Sequence, residues 1–480
     1  MSVISYRSTR GAEGLGTFSD ILLGGLAPDG GLAIPSTFKA FDSVELQSLS
    51  KMSYPKLASS ILSCFVDDID IKTLCSLCDS AYTVDTFGKR EITPLVYLGE
   101  EENSDIFLLE LSNGPTLAFK DIAMQMLGQF FEHVLEKRGS TLNILAATSG
   151  DTGSAAEYAM RERSNISVFM LSPEGRMSSF QKAQMYSLID ERIHNLVVPG
   201  TFDVCQDLVK GVSSDLKFKS KYRIGSVNSI NWGRISSQIV YYFYGYFRAI
   251  EQTGNCFMSP VSFSVPSGNF GNILSGYISK KMGLPIENLV LATNENNVLD
   301  EFFKTGSYRV RTSAETFKTS SPSMDISKAS NFERFIFDVV GNDFGRVNSL
   351  WKELSVDGRF VIEDEESLRN IKYSGIVSGS SNHQNRLDTI KNIKDKYNRI
   401  IDPHTADGFF VARKNLKPKI PMVCLETALP IKFSKTVIEA IGETPQTPQK
   451  FFDIEKKPQK IKKIDDSVET LKNYIKEKSI

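Results

Sequence analysis

The sequence predicts an α/β protein built on open, mainly parallel sheets. Short apolar runs bounded by turn residues recur from about residue 105 to 425, each followed by a helix-length segment, as in βαβ units covered on both faces. Several runs end in small-residue turns that open the next helix, the place where such sheets gather ligands. A length of 480 residues suggests about three domains, which gives ample interior to bury.

Residues 1–95 read as a small N-terminal domain. A glycine-rich opening, LLGGLAPDGGLAI over 22–34, precedes helical segments at 46–65 and 71–81. Strand candidates follow at 106–111, 142–147, 167–171, 261–265, 289–292 and 422–425, with helix candidates at 117–137, 153–163, 234–250 and 271–282. These divide into a first α/β domain over 96–255 and a second over 256–448. The aromatic-rich 234–250 segment is apolar nearly throughout, so it fits a buried helix better than a nucleic-acid stacking surface. Residues 306–330 are rich in Ser, Thr and Lys and read as an irregular excursion over the site; residues 374–385 read as loop. Residues 449–480 hold nine Lys against six acidic residues. In this charged tail Asp466 and Glu469 have capping-box spacing, and Val468, Leu471 and Ile475 share one face of a short terminal helix that docks on the body.

Composition narrows the function. The 56 basic and 57 acidic residues nearly cancel, so no global field favours nucleic acid or an anionic membrane. No apolar run has signal-peptide or bilayer-spanning length, and the expected location is the cytoplasm. Six scattered cysteines form no disulfide framework; Cys75 and Cys78 read as two thiols on one helix face, and no metal set is evident.

Four turns carry chemistry. In ELSNGPTLAFKD (110–121), Pro115 opens a helix and places Lys120 in its first two turns, facing the strand ends. In AATSGDTGSA (146–155), the turn Ser149, Gly150, Asp151, Thr152 and Gly153 leaves backbone amides open to an anion, and a carboxylate fits. In VPSGNFGNI (265–273), Gly268, Asn269, Phe270, Gly271 and Asn272 form a phosphate cup between strand and helix, with neither Walker nor dinucleotide spacing. In CLETALP (424–430), Thr427 offers a neutral hydroxyl of the kind a pyridine nitrogen accepts. Each turn taken alone is also a plain structural turn.

Together with YRSTRG, GLAPDGGLAIP, GTFDVCQD, SVNSINWGR, SPSMDI with SNFER, and DPHTADG, these motifs resemble, in order from Tyr6 to about Phe433, the threonine synthase family of pyridoxal 5'-phosphate enzymes. The resemblance implies fold type II, like the tryptophan synthase β chain: two open twisted α/β domains with the cofactor between them, plus a small N-terminal domain. It implies that Lys120 is the Schiff-base lysine, that Gly268 to Asn272 bind the cofactor phosphate, that Thr427 meets the pyridine nitrogen, and that Ser149 to Thr152 receive the substrate carboxylate. The family reaction is a carbon-oxygen lyase step turning O-phospho-L-homoserine and water into L-threonine and phosphate, the last step of threonine biosynthesis. For the substrate phosphate the expected cation is Arg234, with Asn231 and Ser154 as hydrogen-bonding neighbours and Arg176 and Lys182 as alternatives. The enzyme is expected to act on a small molecule as a monomer or homodimer.

Three departures bound that expectation. Asn113 and Leu429 stand where the family usually has histidine, and Asn272 where Asp is common. Of the four histidines only His404 lies in a family motif, where hydrogen bonding near the site is its expected task. Two rival outcomes stay open: a related phospholyase releasing 2-oxobutyrate, phosphate and ammonia, and a non-catalytic binding relative.

Overall fold

The computed structural model describes residues 4–480 apart from 176, 201 and 313. The N-terminal part runs β1 (Tyr6–Ser8), α1 (Phe18–Gly24), β2 (Ala33–Pro35), α2 (Ser43–Ser50), α3 (Tyr54–Leu62), α4 (Ile71–Ala81) and α5 (Val84–Phe87), with β1 and β2 paired antiparallel. The helix expected over 46–65 is two helices, because Ser53 sits at the N-cap of α3 with Pro55 in its first turn.

A hairpin of β3 (Leu95–Glu101) and β4 (Ser104–Leu109) leads through a loop into α6 (Lys120–Arg138). Next come β5 (Leu142–Ala147), α7 (Asp151–Met160), β6 (Ile166–Pro173), α8 (Ser179–Tyr186), β7 (Ile193–Val198), α9 (Phe202–Ser214), α10 (Leu216–Lys221), β8 (Ile224–Gly225) and the long α11 (Trp232–Thr253). The chain continues with β9 (Val261–Pro266), α12 (Gly271–Lys281), β10 (Ile286–Thr293), α13 (Val298–Thr305), β11 (Ser307–Arg309), α14 (Phe332–Val339), α15 (Phe344–Asp357) and β12 (Arg359–Val361). It closes with α16 (Glu365–Tyr373), β13 (Ile376–Ser380), α17 (His383–Tyr397), α18 (Pro403–Arg413), β14 (Met422–Leu425), α19 (Ser434–Ile441), β15 (Lys462–Lys463) and α20 (Val468–Lys478).

Two sheets organise these elements. One has six strands in the order β13-β10-β9-β14-β4-β3, parallel except for the β3/β4 hairpin; the other has five parallel strands in the order β15-β7-β6-β5-β8. Every residue of β6, β7 and β9 is buried, as parallel strands covered on both faces require. The aromatic-rich helix α11 is buried along nearly its whole length and packs on α3, α6 and α12. The N-terminal helices share its core: Phe65 meets Trp232 edge-on at 5.5 Å, and Tyr54 meets Tyr244 at 5.3 Å.

The sheets interleave in sequence, so the expected divisions at 95/96 and 255/256 do not separate them. Strand β4 pairs Ile106–Leu109 with Met422–Leu425 of β14, which places the hairpin in the six-stranded sheet while α6 leads to the five-stranded one. The 449–480 segment docks on the body. Its β15 extends the five-stranded sheet beside β7, and Leu471 and Ile475 of α20 are buried with Leu208 and Val212 of α9. The region 374–385, expected to be loop, contains the edge strand β13, whose residues beyond Ile376 are only half-buried.

Candidate active site

Lys120 is the first residue of α6, one turn earlier in the helix than Pro115 at N1 would place it. The preceding turn is held open by Asp121, which accepts from the Thr116 N–H at 2.8 Å and its hydroxyl at 2.7 Å, and by a left-handed Leu117 (φ +62°). The Phe119 N–H donates to the Thr427 carbonyl at 2.9 Å, and Ala118 bridges Ala428. The lysine is thereby clamped to the end of β14. Its side chain is 13% exposed, and Nζ lies 3.5 Å from Asp151 Oδ2.

Asp151, at the start of α7, is a buried charge hub. Oδ1 accepts from Lys432 Nζ at 3.0 Å and Gln181 Nε2 at 3.0 Å, and Oδ2 accepts from the Ser323 hydroxyl at 3.1 Å. Burial opposes ionisation, but Lys432 and Lys120 outweigh it and hold this carboxyl well below the ordinary carboxylate range. For Lys120, burial lowers proton affinity against the pull of Asp151, and Lys432 and Arg234 lower it further. An amine so placed loses its proton more readily than a surface lysine, as a nucleophile and base must.

The 149–152 turn is only partly open. Thr148 Oγ1 accepts from the Gly150 N–H at 3.0 Å and the Gly153 N–H at 2.8 Å, so two amides are already spent. Gly150 has φ +137°, and a Cβ there would lie 2.7 Å from the Gln181 side chain. The Asp151 carboxylate points inward to its cations and is no cradle for an anion. Ser149 is exposed and Thr152 half-buried, whereas the Ser154 hydroxyl turns back to the carbonyls of Gly150 and Asp151, each at 3.3 Å.

Between β9 and α12 lies the turn Gly268 to Asn272, read from the sequence as a phosphate cup. Phe270 adopts φ +65° and buries its ring among Phe332, Phe335 and Phe303, which turns the backbone from strand to helix start. A Cβ on Gly268 would lie 3.0 Å from both Ile326 Cγ1 and Met324 Cα, so only glycine lets the excursion close over the turn. The Asn269 carbonyl accepts from the Asn331 N–H at 3.1 Å. Asn272 faces away: its Oδ1 accepts from the Tyr241 and Tyr242 hydroxyls at 2.6 and 2.8 Å. The Ser267 hydroxyl is buried without a partner.

Thr427 follows β14 with its N–H given to Thr405 Oγ1 at 2.9 Å and its carbonyl to Phe119, which leaves the hydroxyl as the group to meet a ligand. His404 lies in the first turn of α18, with Nδ1 2.8 Å from Asp402 Oδ1, while Nε2 accepts from the Ser323 N–H at 3.1 Å. That pair of bonds fixes the neutral Nδ1–H tautomer.

Arg234 sits in the first turn of α11 and is 3% exposed. Its Nη1 donates to the Val227 carbonyl at 3.0 Å, Nε has no partner, and no carboxylate among the described residues pairs with it. Burial pushes its pKa down to about 10. A buried guanidinium without a counterion is a ready site for an anion. Asn231 is committed elsewhere, its Nδ2 donating to the Leu22 carbonyl at 2.9 Å and its Oδ1 capping the Gly233 N–H at 2.9 Å. Lys182 is half-buried on α8, and Arg176 lies outside the described residues. Leu429 packs with Leu117, Phe180 and Phe451, so an apolar contact stands where a histidine was expected. The Asn113 amide donates to the Glu110 carbonyl at 3.4 Å.

Lys432 and Gln181 were not singled out by their sequence context, and Ser323 was seen only as part of SPSMDI, without a role of its own. A lysine flanked by Ile431 and Phe433 is the one signal available for the first of them.

Residues 5–82 match the family described as Threonine synthase N terminus, 86–352 Pyridoxal-phosphate dependent enzyme, and 405–475 Threonine synthase, C-terminal. The chain is 51% identical to the threonine synthase of Methylobacillus glycogenes over 99% of this chain and 100% of that protein. It belongs to the threonine synthase family. It is also 50% identical to the threonine synthase of Corynebacterium glutamicum, over 98% of each chain. Among solved structures, the pyridoxal-phosphate-bound threonine synthase from Brucella melitensis matches with a TM-score of 0.91 and 40% identity, covering 99% of each chain. The fold is therefore the fold-type-II architecture of threonine synthases, and the cofactor is pyridoxal 5'-phosphate. The residues present fit that group: the glycine cup closes only without a Cβ at 268, a buried Ser267 hydroxyl is free beside it, and the Lys120 amine is held at the strand ends.

Proposed function

We propose that this member of the threonine synthase family converts O-phospho-L-homoserine and water into L-threonine and phosphate, with pyridoxal phosphate held on Lys120. One observation carries the reading to the substrate: near a lysine whose amine sheds its proton readily lies Arg234, a buried guanidinium with no carboxylate partner among the described residues. An amino acid that bears a phosphate needs both.

In this reading the backbone of Gly268 to Asn272 and the N-terminus of α12 hold the cofactor phosphate, and the Thr427 hydroxyl meets the pyridine nitrogen. When bound, the cofactor supplies an electron sink for negative charge developing at the substrate α- and β-carbons. The chain's own groups do the rest. The Lys120 amine takes the proton from the α-carbon and carries it onward, while Asp151 keeps Nζ in place. The open amides of Ser149 to Thr152 orient the substrate carboxylate, and Arg234 neutralises the phosphate as it departs from the γ-carbon. Ser154 and Asn231 support that region through the backbone of α7 and α11.

We infer a cytoplasmic enzyme, monomeric or homodimeric, from its phosphorylated metabolite substrate and six free cysteines. A near-balanced charge favours no nucleic-acid partner. No helix among the described residues is long and apolar enough to cross a membrane.

Purified protein supplied with cofactor and O-phospho-L-homoserine should yield threonine and phosphate in equal amounts. Formation of 2-oxobutyrate in place of threonine would establish the phospholyase reading. Lys120→Ala should lose both the visible imine absorbance and turnover, and a native protein without that absorbance would instead be a non-catalytic relative.

A further inference from the structure

We propose that Lys432 is a positioning residue for Lys120: it pairs with Asp151 on the oxygen that Lys120 does not face, so that the Lys120 amine can lose its proton without leaving a buried carboxylate unpaired. The proposal rests on Lys120 being the cofactor-bearing lysine.

The geometry ranks the two cations. Lys432 Nζ is 3.0 Å from Asp151 Oδ1, and both side chains are fully buried. Lys120 Nζ is 3.5 Å from Oδ2 and its side chain is 13% exposed. One carboxylate carries one charge, and the nearer, drier ammonium matches it. Lys432 is also fixed independently of Lys120. Its Nζ donates to the Thr116 carbonyl at 2.7 Å, its carbonyl accepts from the Ser178 hydroxyl at 3.2 Å, and its N–H donates to the Leu429 carbonyl at 3.1 Å within the short turn Pro430–Phe433.

The remaining charges act in the same direction. Arg234 adds positive potential at Lys120, the Asp121 carboxyl is taken up by the Thr116 N–H and hydroxyl, and His404 is held neutral behind Ser323. Among the described residues Asp151 is the acid that faces the Lys120 amine, and Lys432 is the residue that satisfies it. Without Lys432, the only ammonium touching Asp151 would be that of Lys120, and its proton would be held more tightly.

The test measures the protonation of Lys120 itself. Full-length protein freed of cofactor is labelled competitively with acetic anhydride across a pH series, and the Lys120 peptide is read by mass spectrometry. In parallel, the rate at which each protein captures pyridoxal phosphate is followed by visible absorbance. Lys432→Met and Lys432→Gln should raise the Lys120 midpoint by about one pH unit, with cofactor capture near pH 7 about tenfold slower. Lys432→Arg should restore the native profile, and Asp151→Asn should move the midpoint down. Lys432→Gln keeps a hydrogen-bonding group at the site, so it and Asp151→Asn decide the matter if Lys432→Met does not fold. An unshifted midpoint in folded Lys432→Gln, or in folded Asp151→Asn, overturns the proposal. A native protein that captures no cofactor overturns the reading of Lys120 instead, which separates the two failures.

Discussion

Ser323 donates its hydroxyl to Asp151 Oδ2 at 3.1 Å, which ties the excursion after β11 to the carboxylate that faces Lys120. The excursion is itself organised by Asp325, which accepts from the Asn294 and Asn296 side-chain amides at 2.9 and 3.0 Å and from the Thr319 N–H at 3.0 Å. Asp151 belongs to the five-stranded half and Ser323 to the six-stranded half, so this bond joins the two halves of the molecule. Ser323→Ala should slow turnover about tenfold, the loss of one charge-assisted hydrogen bond. Steady-state kinetics would show it, with faster amide exchange over 318–326.

Arg234 poses function against stability. A buried, unpaired guanidinium costs free energy until an anion arrives. Arg234→Met should melt at a higher temperature than the native chain in the absence of substrate. Its KM for the phosphorylated substrate should rise about a hundredfold. Thermal melts with and without substrate, alongside kinetics, check both halves.

Glu157 offers a prediction away from the cleft. It is fully buried on α7, with Oε2 3.4 Å from Asn195 Nδ2 and Oε1 without a partner, and burial raises its carboxyl well above the usual range. The folded state keeps this group protonated while the unfolded chain ionises above about pH 4.3, so its contribution turns unfavourable as pH rises past that value. Glu157→Gln should match the native melting temperature near pH 4 and exceed it by about 2–6 °C at pH 8.

Gly150→Ala should damage the site through its backbone. The φ of +137° excludes a side chain, and the added Cβ would meet Gln181, a partner of Asp151. A loss of about 2 kcal/mol in stability is expected. Weaker cofactor capture should accompany it, measured by denaturant unfolding and visible titration.

Much of the architecture was legible because strand and helix periodicities differ and because four turns each demanded small residues. Lys120 was drawn from its motif and Arg234 from SVNSINWGR as candidates, and the fold sets both at helix starts. Less visible were features set by distant partners. Strand β7 carries His194 and Asn195 among its apolar residues, and β13 reads IVSGS, so neither stands out as an apolar run. The Asn231 side chain was expected beside a substrate phosphate, yet it caps a helix, and the Asp151 side chain, about which the sequence said nothing, faces two lysines; both choices are fixed by three-dimensional neighbours. Lys432 escaped notice because a lone lysine ordinarily seeks water, and only the fold brings Asp151 beside it.

The placement of β14 bears on how the molecule is made. Its neighbours β4 and β9 emerge from the ribosome long before it, and each must wait with one open edge until residues 422–425 arrive. Open edges invite pairing with other chains. The insertion of β14 removes both at once, and the Thr427 carbonyl comes within reach of the Phe119 N–H in the same movement. For a nascent chain, protection from aggregation and the clamp that fixes the turn before Lys120 are thus gained together.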